Sequence, residues 1–594
     1  MSRTTLNQSQ FYLFLKEDKL TGAQFGTNYK VTIDSDIIDW ESRTIINITF
    51  EELIVVKNLD IRSGLIFINC NFKKGIVFHN ASLKNFDTTQ NDFNASIVIS
   101  ECTGIFIKTE AGCELDRPIK IGKNSEFEKI IINHTEVLNG GLNIAETNIK
   151  EQLDIAQSKL EVRVSNSTID GVIRMETVTG DVSIIKSVVS KFAKFWNIEC
   201  PFSFTLNHNT FEDEFEVKAS RIKGFYSHGD TFYRKGKLEN RDDSDNGIVS
   251  NLKAIYITEG NFIEGFEFDG MGKELQKLNL PLSPNFKGVL RFIGWKIYET
   301  NISGINTSLK LVFKRVQFKR IIFIDFANSG DITFERCSAE NERFLDTEDP
   351  DSSIIASDSD FGITRFTEFD FNSFDFLSFD NVSFNGIVAT NVNWFSEDKV
   401  RIESSALSRS LHHRRVREIY RQIKYSLQSQ GNQIDSLGFK AREMRAYRNE
   451  LLSSNIEYKQ EKKSKLPIVA SKYTNSDRTI MTVNKLNDYG LNWWKPLWIV
   501  FFITLGFYII MLPIFSSKIA YIPPTSVDDF FNTLNEFWHN GNVFWQMFNP
   551  ARRVSLVYGE NQNGWLYLLD FLHRVILGIL IFQIIKAFRR LADK

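Results

Sequence analysis

The chain has 594 residues, 24% of them charged and 42% hydrophobic, which excludes both a disordered polypeptide and a polytopic transporter. Lysine and arginine number 71 against 73 aspartate and glutamate, and the net charge of -2 excludes a protein that coats nucleic acid along its whole length. Phenylalanine reaches 52 residues and proline only 11, which points to one long, regular, β-rich element.

Five cysteines (Cys70, Cys102, Cys113, Cys200 and Cys337) show neither CxxC spacing nor a histidine at zinc-site spacing. Their odd, unclustered count fits a reduced compartment. The first ten residues lack the apolar core of a secretory signal, so the first several hundred residues are expected in the cytoplasm.

Residues 1–44 read as an N-terminal cap. From about 45 to 395 the chain falls into units of about ten residues. Leu142-Asn-Ile144-Ala-Glu-Thr147-Asn-Ile149, Val162-Arg-Val164-Ser-Asn-Ser167-Thr-Ile169 and Val182-Ser-Ile184-Ile-Lys-Ser187-Val-Val189 share one grammar. Apolar residues alternate, then a small hydroxyl residue precedes another apolar one by two, which is strand periodicity closed by a tight corner. Asn209-Thr-Phe211, Asp230-Thr-Phe232 and Gly260-Asn-Phe262 repeat it with phenylalanine. One such unit cannot bury its apolar face alone, so the period predicts a mainly β fold. The expected form is a right-handed parallel β-helix, a pentapeptide-repeat-like solenoid, with coils of about 20 residues and a rod on the order of 80 Å long.

Many solenoids are enzymes, but no Ser-His-Asp, HExxH or phosphate-loop signature is present. The acids Glu212-Asp213-Glu214, Asp242-Asp243 and Glu348-Asp349-Pro350-Asp351 read as solvated loops. His79, His134, His208 and His228 are expected not to stack. No enzymatic activity, catalytic residue, cofactor or metal site is expected.

Residues 396–490 form a basic helical joint. Val416, Ile419, Ile423 and Leu427 recur at three and four, and Gly431-Asn432 marks the turn of a helical hairpin. Residues 401–465 hold 15 lysines and arginines against 7 acids, a net of +8, so the rest of the chain nets -10. Arg414, Arg415, Arg417, Arg421 and Lys424 form a stripe suited to lipid headgroups, an acidic partner or nucleic-acid phosphate. The same charges also suit a plain solvated face beside a membrane.

Residues 491–594 form the membrane region. Leu497 to Phe515 is 19 residues without a charge, long enough to span. Trp493, Trp494 and Trp498 make an aromatic belt at its start. A second span covers about 564–585 and is followed by Lys586, Arg589, Arg590 and Lys594, which predicts both termini inside, on the cytoplasmic face of the inner membrane. Asp570, His573 and Arg574 lie within this span. Ionisable groups there cost roughly 2.5–3.5 kcal/mol each, so they are expected to line a pore or vestibule, with snorkelling and packing as alternatives. Asp570 and Arg574 are also i,i+4 neighbours able to pair. The connection 516–563 is rich in Phe and Trp, which predicts a re-entrant or interfacial helix ending near Asn549-Pro550. Val557-Tyr558-Gly559-Glu560 lacks the Thr-Val-Gly of a potassium filter.

Arg417-Glu-Ile-Tyr420-Arg-Gln-Ile-Lys424, then Gly431-Asn432, then Phe439-Lys-Ala-Arg-Glu443-Met444 form a tyrosine–lysine helix, a glycine turn and an Ala-x-Glu-Met helix. With the ending Leu577-Gly578…Gln583-Ile-Ile-Lys586-Ala587-Phe588-Arg589-Arg590, the chain resembles bacterial pentapeptide-repeat membrane proteins with a two-span, ion-channel-like C-terminal region. More distantly, the layout is similar to the transmembrane effector of the Hailong anti-phage system. That resemblance implies an oligomeric channel restrained by single-stranded DNA oligomers made by a partner nucleotidyltransferase. Two spans cannot enclose a pore, so a homo-oligomer, with a tetramer favoured, is expected. A membrane-tethered scaffold without channel activity is the alternative.

Overall fold

A computed structural model describes residues 97–110, 113–115, 118–242, 249–340, 351–401, 409–464, 474–516, 526–559 and 563–592, together with short strands in the first 83 residues. The chain divides into two compact units, Met1–Glu403 and Ser404–Lys594.

The first unit is a parallel β-solenoid of about 14 turns. Its coils carry four strand segments each, two of about four residues and two of about two, as in Val182–Ile185, Val188–Val189, Ala193–Trp196 and Glu199–Cys200. Register is held from coil to coil by stacking of like positions. Ile119, Leu142, Val162, Val182, Phe204, Phe225 and Ile255 pair in one unbroken column, all pointing inward. A slip of one residue would turn the whole apolar set outward, so the hydrophobic alternation fixes the pairing. At a strand spacing of about 4.8 Å the solenoid is on the order of 65 Å long, shorter than the 80 Å expected from the sequence. The reason is insertions: Arg320 pairs with Ser353, 33 residues on, rather than with a residue about 20 ahead. Thr4–Leu6, Lys19–Thr21 and Val31–Ile33, within the stretch read as a cap, also pair in parallel with later strands.

The phenylalanines have a structural explanation. Phe268, Phe292, Phe313, Phe334 and Phe366 occupy successive rungs of one inward column, with ring centroids 4.9–5.4 Å apart and planes within 18°. A parallel in-register sheet sets neighbouring side chains at the strand spacing, close to the preferred separation of stacked rings. Trp295 fills the same core and donates its indole N–H to the Phe268 carbonyl at 2.9 Å. It fits because Gly270 has no side chain: a Cβ there would lie 2.4 Å from the indole ring.

The small hydroxyl residues of the repeat are also buried. Thr147, Ser167 and Ser187 each donate to the carbonyl two residues back. Thr147 N–H donates to Ser167 Oγ and Ser167 N–H to Ser187 Oγ, both at 3.2 Å. Ser187 N–H continues the ladder to Asn209 Oδ1 and Asn209 N–H to Asp230 Oδ1. The corner before each rung is left-handed, at Glu146, Asn166, Lys186 and His208 (φ 47–55°). Asparagine and glycine are the residues that adopt this conformation most readily. Glu, Lys and His are tolerated because each corner N–H is bonded to the next coil, at 2.8–3.0 Å.

His208 and His228 do meet on adjacent rungs, edge to face with ring centroids 4.8 Å apart, contrary to the expectation from sequence. The coil here is 21 residues long, so His228 pairs in register with Asn207 and its ring reaches His208, the next residue on the adjacent rung. Among the described residues no group of three His, Cys, Asp or Glu forms around them or elsewhere. Glu212 and Glu214 lie exposed in a turn and Asp242 is paired with Lys273, whereas Asp243 and Glu348-Asp349-Pro350 fall outside the described residues.

Asp230 ends the hydroxyl ladder, since the corresponding position one coil on is Gly260. The carboxylate is buried and accepts from Asn209 N–H at 2.8 Å, Asn209 Nδ2 at 2.9 Å and Ser227 Oγ at 2.7 Å, with no cation among these contacts. Burial pushes its pKa up from 3.8 to about 6, against the lowering effect of these donors. The folded state therefore holds the proton more tightly, and this stabilisation is lost as pH rises from about 4 through about 6. Asp230→Asn keeps the Oδ1 acceptor and is expected to be more stable than the parent at pH 7.5, by at most about 3 kcal/mol. Chemical denaturation at pH 4.5 and 7.5 checks this: the variant should lose the pH dependence, and equal stability at both pH values in the parent would refute it.

Candidate functional site

The second unit begins with a hairpin of α1 (Arg409–Ser429) and α2 (Gln433–Ser464). Gly431 at φ 76° makes the turn, as its sequence position predicted. Val416, Ile419, Tyr420, Ile423 and Leu427 are buried. The basic stripe divides by the partners of its side chains. Arg417 pairs with Glu450 at 2.7 Å and lies over the Tyr447 ring, and Lys424 pairs with Glu443 at 2.7 Å, so both are directed at α2. Arg421 pairs with Glu418 on its own helix at 2.6 Å, and both remain substantially exposed. Arg414 is exposed and Arg415 half-buried. Residues 414, 417, 421 and 424 lie along one side of α1, and the carboxylates of Glu450 and Glu443 engage Arg417 and Lys424 alone of these four.

α3 (Asn475–Lys485) leads to α4 (Trp494–Phe515). The connection then carries α5 (Val527–His539), α6 (Gly541–Gln546) and α7 (Val554–Tyr558), and α8 (Gly564–Ala592) ends the described chain. α4 and residues Gly564–Phe588 of α8 are long and apolar enough to cross a membrane. They pack through Val500, Leu577 and Leu580. A second apolar cluster, of Tyr508, Met511, Leu512, Val543, Phe544, Met547, Tyr558 and Leu566, seats the connection against both helices.

The polar groups of α8 meet at this seat. Arg552, on the loop between α6 and α7, donates from Nε and Nη2 to Asp570 Oδ1 at 2.9 and 2.5 Å. Its Nη1 donates to the Met547 carbonyl at 2.5 Å, at the C-terminal end of α6. Arg574 Nε donates to Asp570 Oδ2 at 2.6 Å, the i,i+4 pair that the spacing allowed, and Tyr558 Oη donates to Oδ1 at 3.2 Å. Arg552 Nη2 lies 3.0 Å from His573 Nδ1, and Thr504 Oγ1 lies 3.1 Å from His573 Nε2. A guanidinium only donates, so Nδ1 must accept, and neutral His573 then carries its proton on Nε2, toward Thr504. The side chains of Arg552 and Asp570 are each only 2% exposed.

The three residues expected to line a vestibule are thus brought together, but differently disposed. Asp570 and His573 lie inside the protomer, holding the connection, while Arg574 keeps about a quarter of its side chain exposed. Arg552, Tyr558 and Thr504 were not singled out from the sequence. The available signal was the Arg552-Arg553 pair two residues after Pro550, in an aromatic-rich stretch that precedes a span holding a carboxylate. Gln583 is buried, its backbone carbonyl accepting from Nδ2 of Asn487, between α3 and α4, at 3.2 Å.

A parallel β-solenoid joined to two helices able to cross a membrane defines the class, one compatible with a membrane-anchored β-helix protein. No protein-family model, curated protein or solved structure matches the chain.

Proposed function

We propose that the chain is a non-enzymatic membrane effector: an oligomeric ion channel or pore, most simply a tetramer, controlled by its β-solenoid. In this reading the solenoid and both termini are cytoplasmic and the two helices cross the inner membrane. The observation that carries it is the connection between them, which folds back as short helices and is fastened by Arg552 to a carboxylate inside α8. A tether requires neither a re-entrant segment nor a buried charge, and irregular backbone at membrane depth is tolerated where it is packed in protein or lines water. Arg574, still partly exposed, is the member of the cluster assigned to a vestibule in this reading. Anti-phage defence, with a nucleotide or single-stranded DNA signal from a partner nucleotidyltransferase, is the proposed setting.

Full-length protein in phosphatidylcholine vesicles tests the conductance. Ion flux that Arg574→Ala alters without reducing incorporation supports the channel, whereas no flux under any condition leaves the tether. One observation favours that second reading: the outward faces of α4 and α8 are apolar along their length, at Phe502, Ile509, Ile510, Phe571, Val575, Ile579 and Phe582.

The polyanion signal has its own test at the hinge. With Arg417 and Lys424 engaged against α2, neutralising Arg414 and Arg421 is the informative change. If they contact single-stranded DNA, each loss should flatten the salt dependence of binding by about 0.7. An oligonucleotide titration across 50–200 mM salt measures it, and an unchanged slope rules these two residues out.

A further inference from the structure

The connection leaves one helix face uncovered. On α5, Val527, Phe530, Phe531, Leu534, Phe537 and Trp538 fall at three- and four-residue spacing on one side, and Asp528, Asp529, Asn532, Thr533, Asn535 and Glu536 on the other. No residue of this helix is buried, and Val527 and Trp538 are 71% and 84% exposed. Its position is nevertheless fixed at the end of α4. Tyr508 Oη donates to the Phe537 carbonyl at 2.8 Å and Ser516 Oγ donates to Glu536 Oε1 at 3.1 Å.

We infer that α5 lies on the bilayer surface at the connection end of the two spans, with its apolar stripe sunk among phospholipid acyl chains. The inference rests on α4 and α8 crossing the membrane. Three observations select lipid as the occupant. The stripe continues an exposed aromatic band at that end, formed by Trp545 on α6 and Trp565 at the start of α8, 67% and 66% exposed. A second band, Trp493, Trp494 and Trp498, lies at the other end of α4, which is about 33 Å long, a separation that matches the two interfaces of a bilayer. Finally, the polar face is acidic, with no lysine or arginine between 519 and 551, so contact depends on apolar burial and not on anionic headgroups.

The full chain in phosphatidylcholine vesicles, spin-labelled at Phe531→Cys, Asn532→Cys or Phe582→Cys, tests this. The native described cysteines are buried, and unsubstituted protein sets the labelling background. The label at 531 should collide several-fold more often with oxygen than with a water-soluble nickel chelate, and the label at 532 the reverse. Replacing a third of the lipid with phosphatidylglycerol should not increase insertion at 531. The label at 582, on the outward face of α8, reports the span itself. If 582 is lipid-exposed but 531 meets the nickel chelate, the stripe is in water and the inference fails while the spans stand. If 531 is immobile and shielded from both reagents, a second copy of the chain covers it and the inference also fails. A water-exposed 582 would overturn the spans.

Discussion

Asp570→Asn is expected to destabilise the second unit by about 3–5 kcal/mol, because it leaves the Arg552 guanidinium buried without a counter-charge. The carboxylate holds two arginines and a tyrosine at once, at 2.5–3.2 Å, so no single neighbour can replace it. Arg553→Gln, one residue from Arg552 but exposed, should remain within about 0.5 kcal/mol of the parent. Arg552→Met combined with Asp570→Asn should cost clearly less than the two single changes added together, since neither charge is then stranded. Unfolding of purified protein in mild detergent, followed by the helical signal, measures all four. If Asp570→Asn unfolds with the parent, the cluster does not fasten the connection.

Phe334→Ala should be the most damaging change in the solenoid, at about 3–5 kcal/mol. Its ring stacks on Phe313 and Phe366 at 5.0 and 5.4 Å and meets Phe318, Phe323 and Phe369 edge-on. Removing it leaves a void between rungs whose backbone spacing is set by hydrogen bonds, so the walls cannot close over it. Phe202→Ala, at an exposed turn, should have almost no effect. Urea midpoints of the two variants separate these outcomes. Because coils contact mainly their neighbours, the loss at 334 should appear as an earlier partial transition and not as a uniform shift.

Much of this architecture was legible in the residues. Alternation by two at Leu142, Ile144, Val162 and Val164, with a small hydroxyl residue after each pair, was enough for a stacked parallel solenoid, because period and chemistry repeat together. The charge-free run ending at Phe515 and the Gly431 turn were equally plain. The contact of His208 with His228 was missed although their spacing of 20 residues is close to one coil, because the four histidines were read as a scattered set and not pair by pair. The cluster around Asp570 was half visible. Its i,i+4 partner Arg574 follows from helix geometry, but Arg552 lies 18 residues away across a loop, and nothing local says that its side chain turns inward. Arg414, Arg417, Arg421 and Lys424 do share one side of the helix, and only the partners Glu450 and Glu443 on α2, which local spacing does not reveal, divide the set.

The seat of Arg552 also bears on how the chain reaches its final form. Ribosomes complete Arg552 before Asp570, so the guanidinium emerges ahead of the carboxylate that neutralises it. If α4 and α8 cross a membrane, a lone cation in the aromatic connection is best left in water outside the lipid until α8 arrives. The connection can sink to its resting depth only once both helices have been delivered. For spans that cross a membrane, the order of synthesis thus imposes an order of assembly: α4 first, α8 second, and the connection drawn in last by its own charge pair.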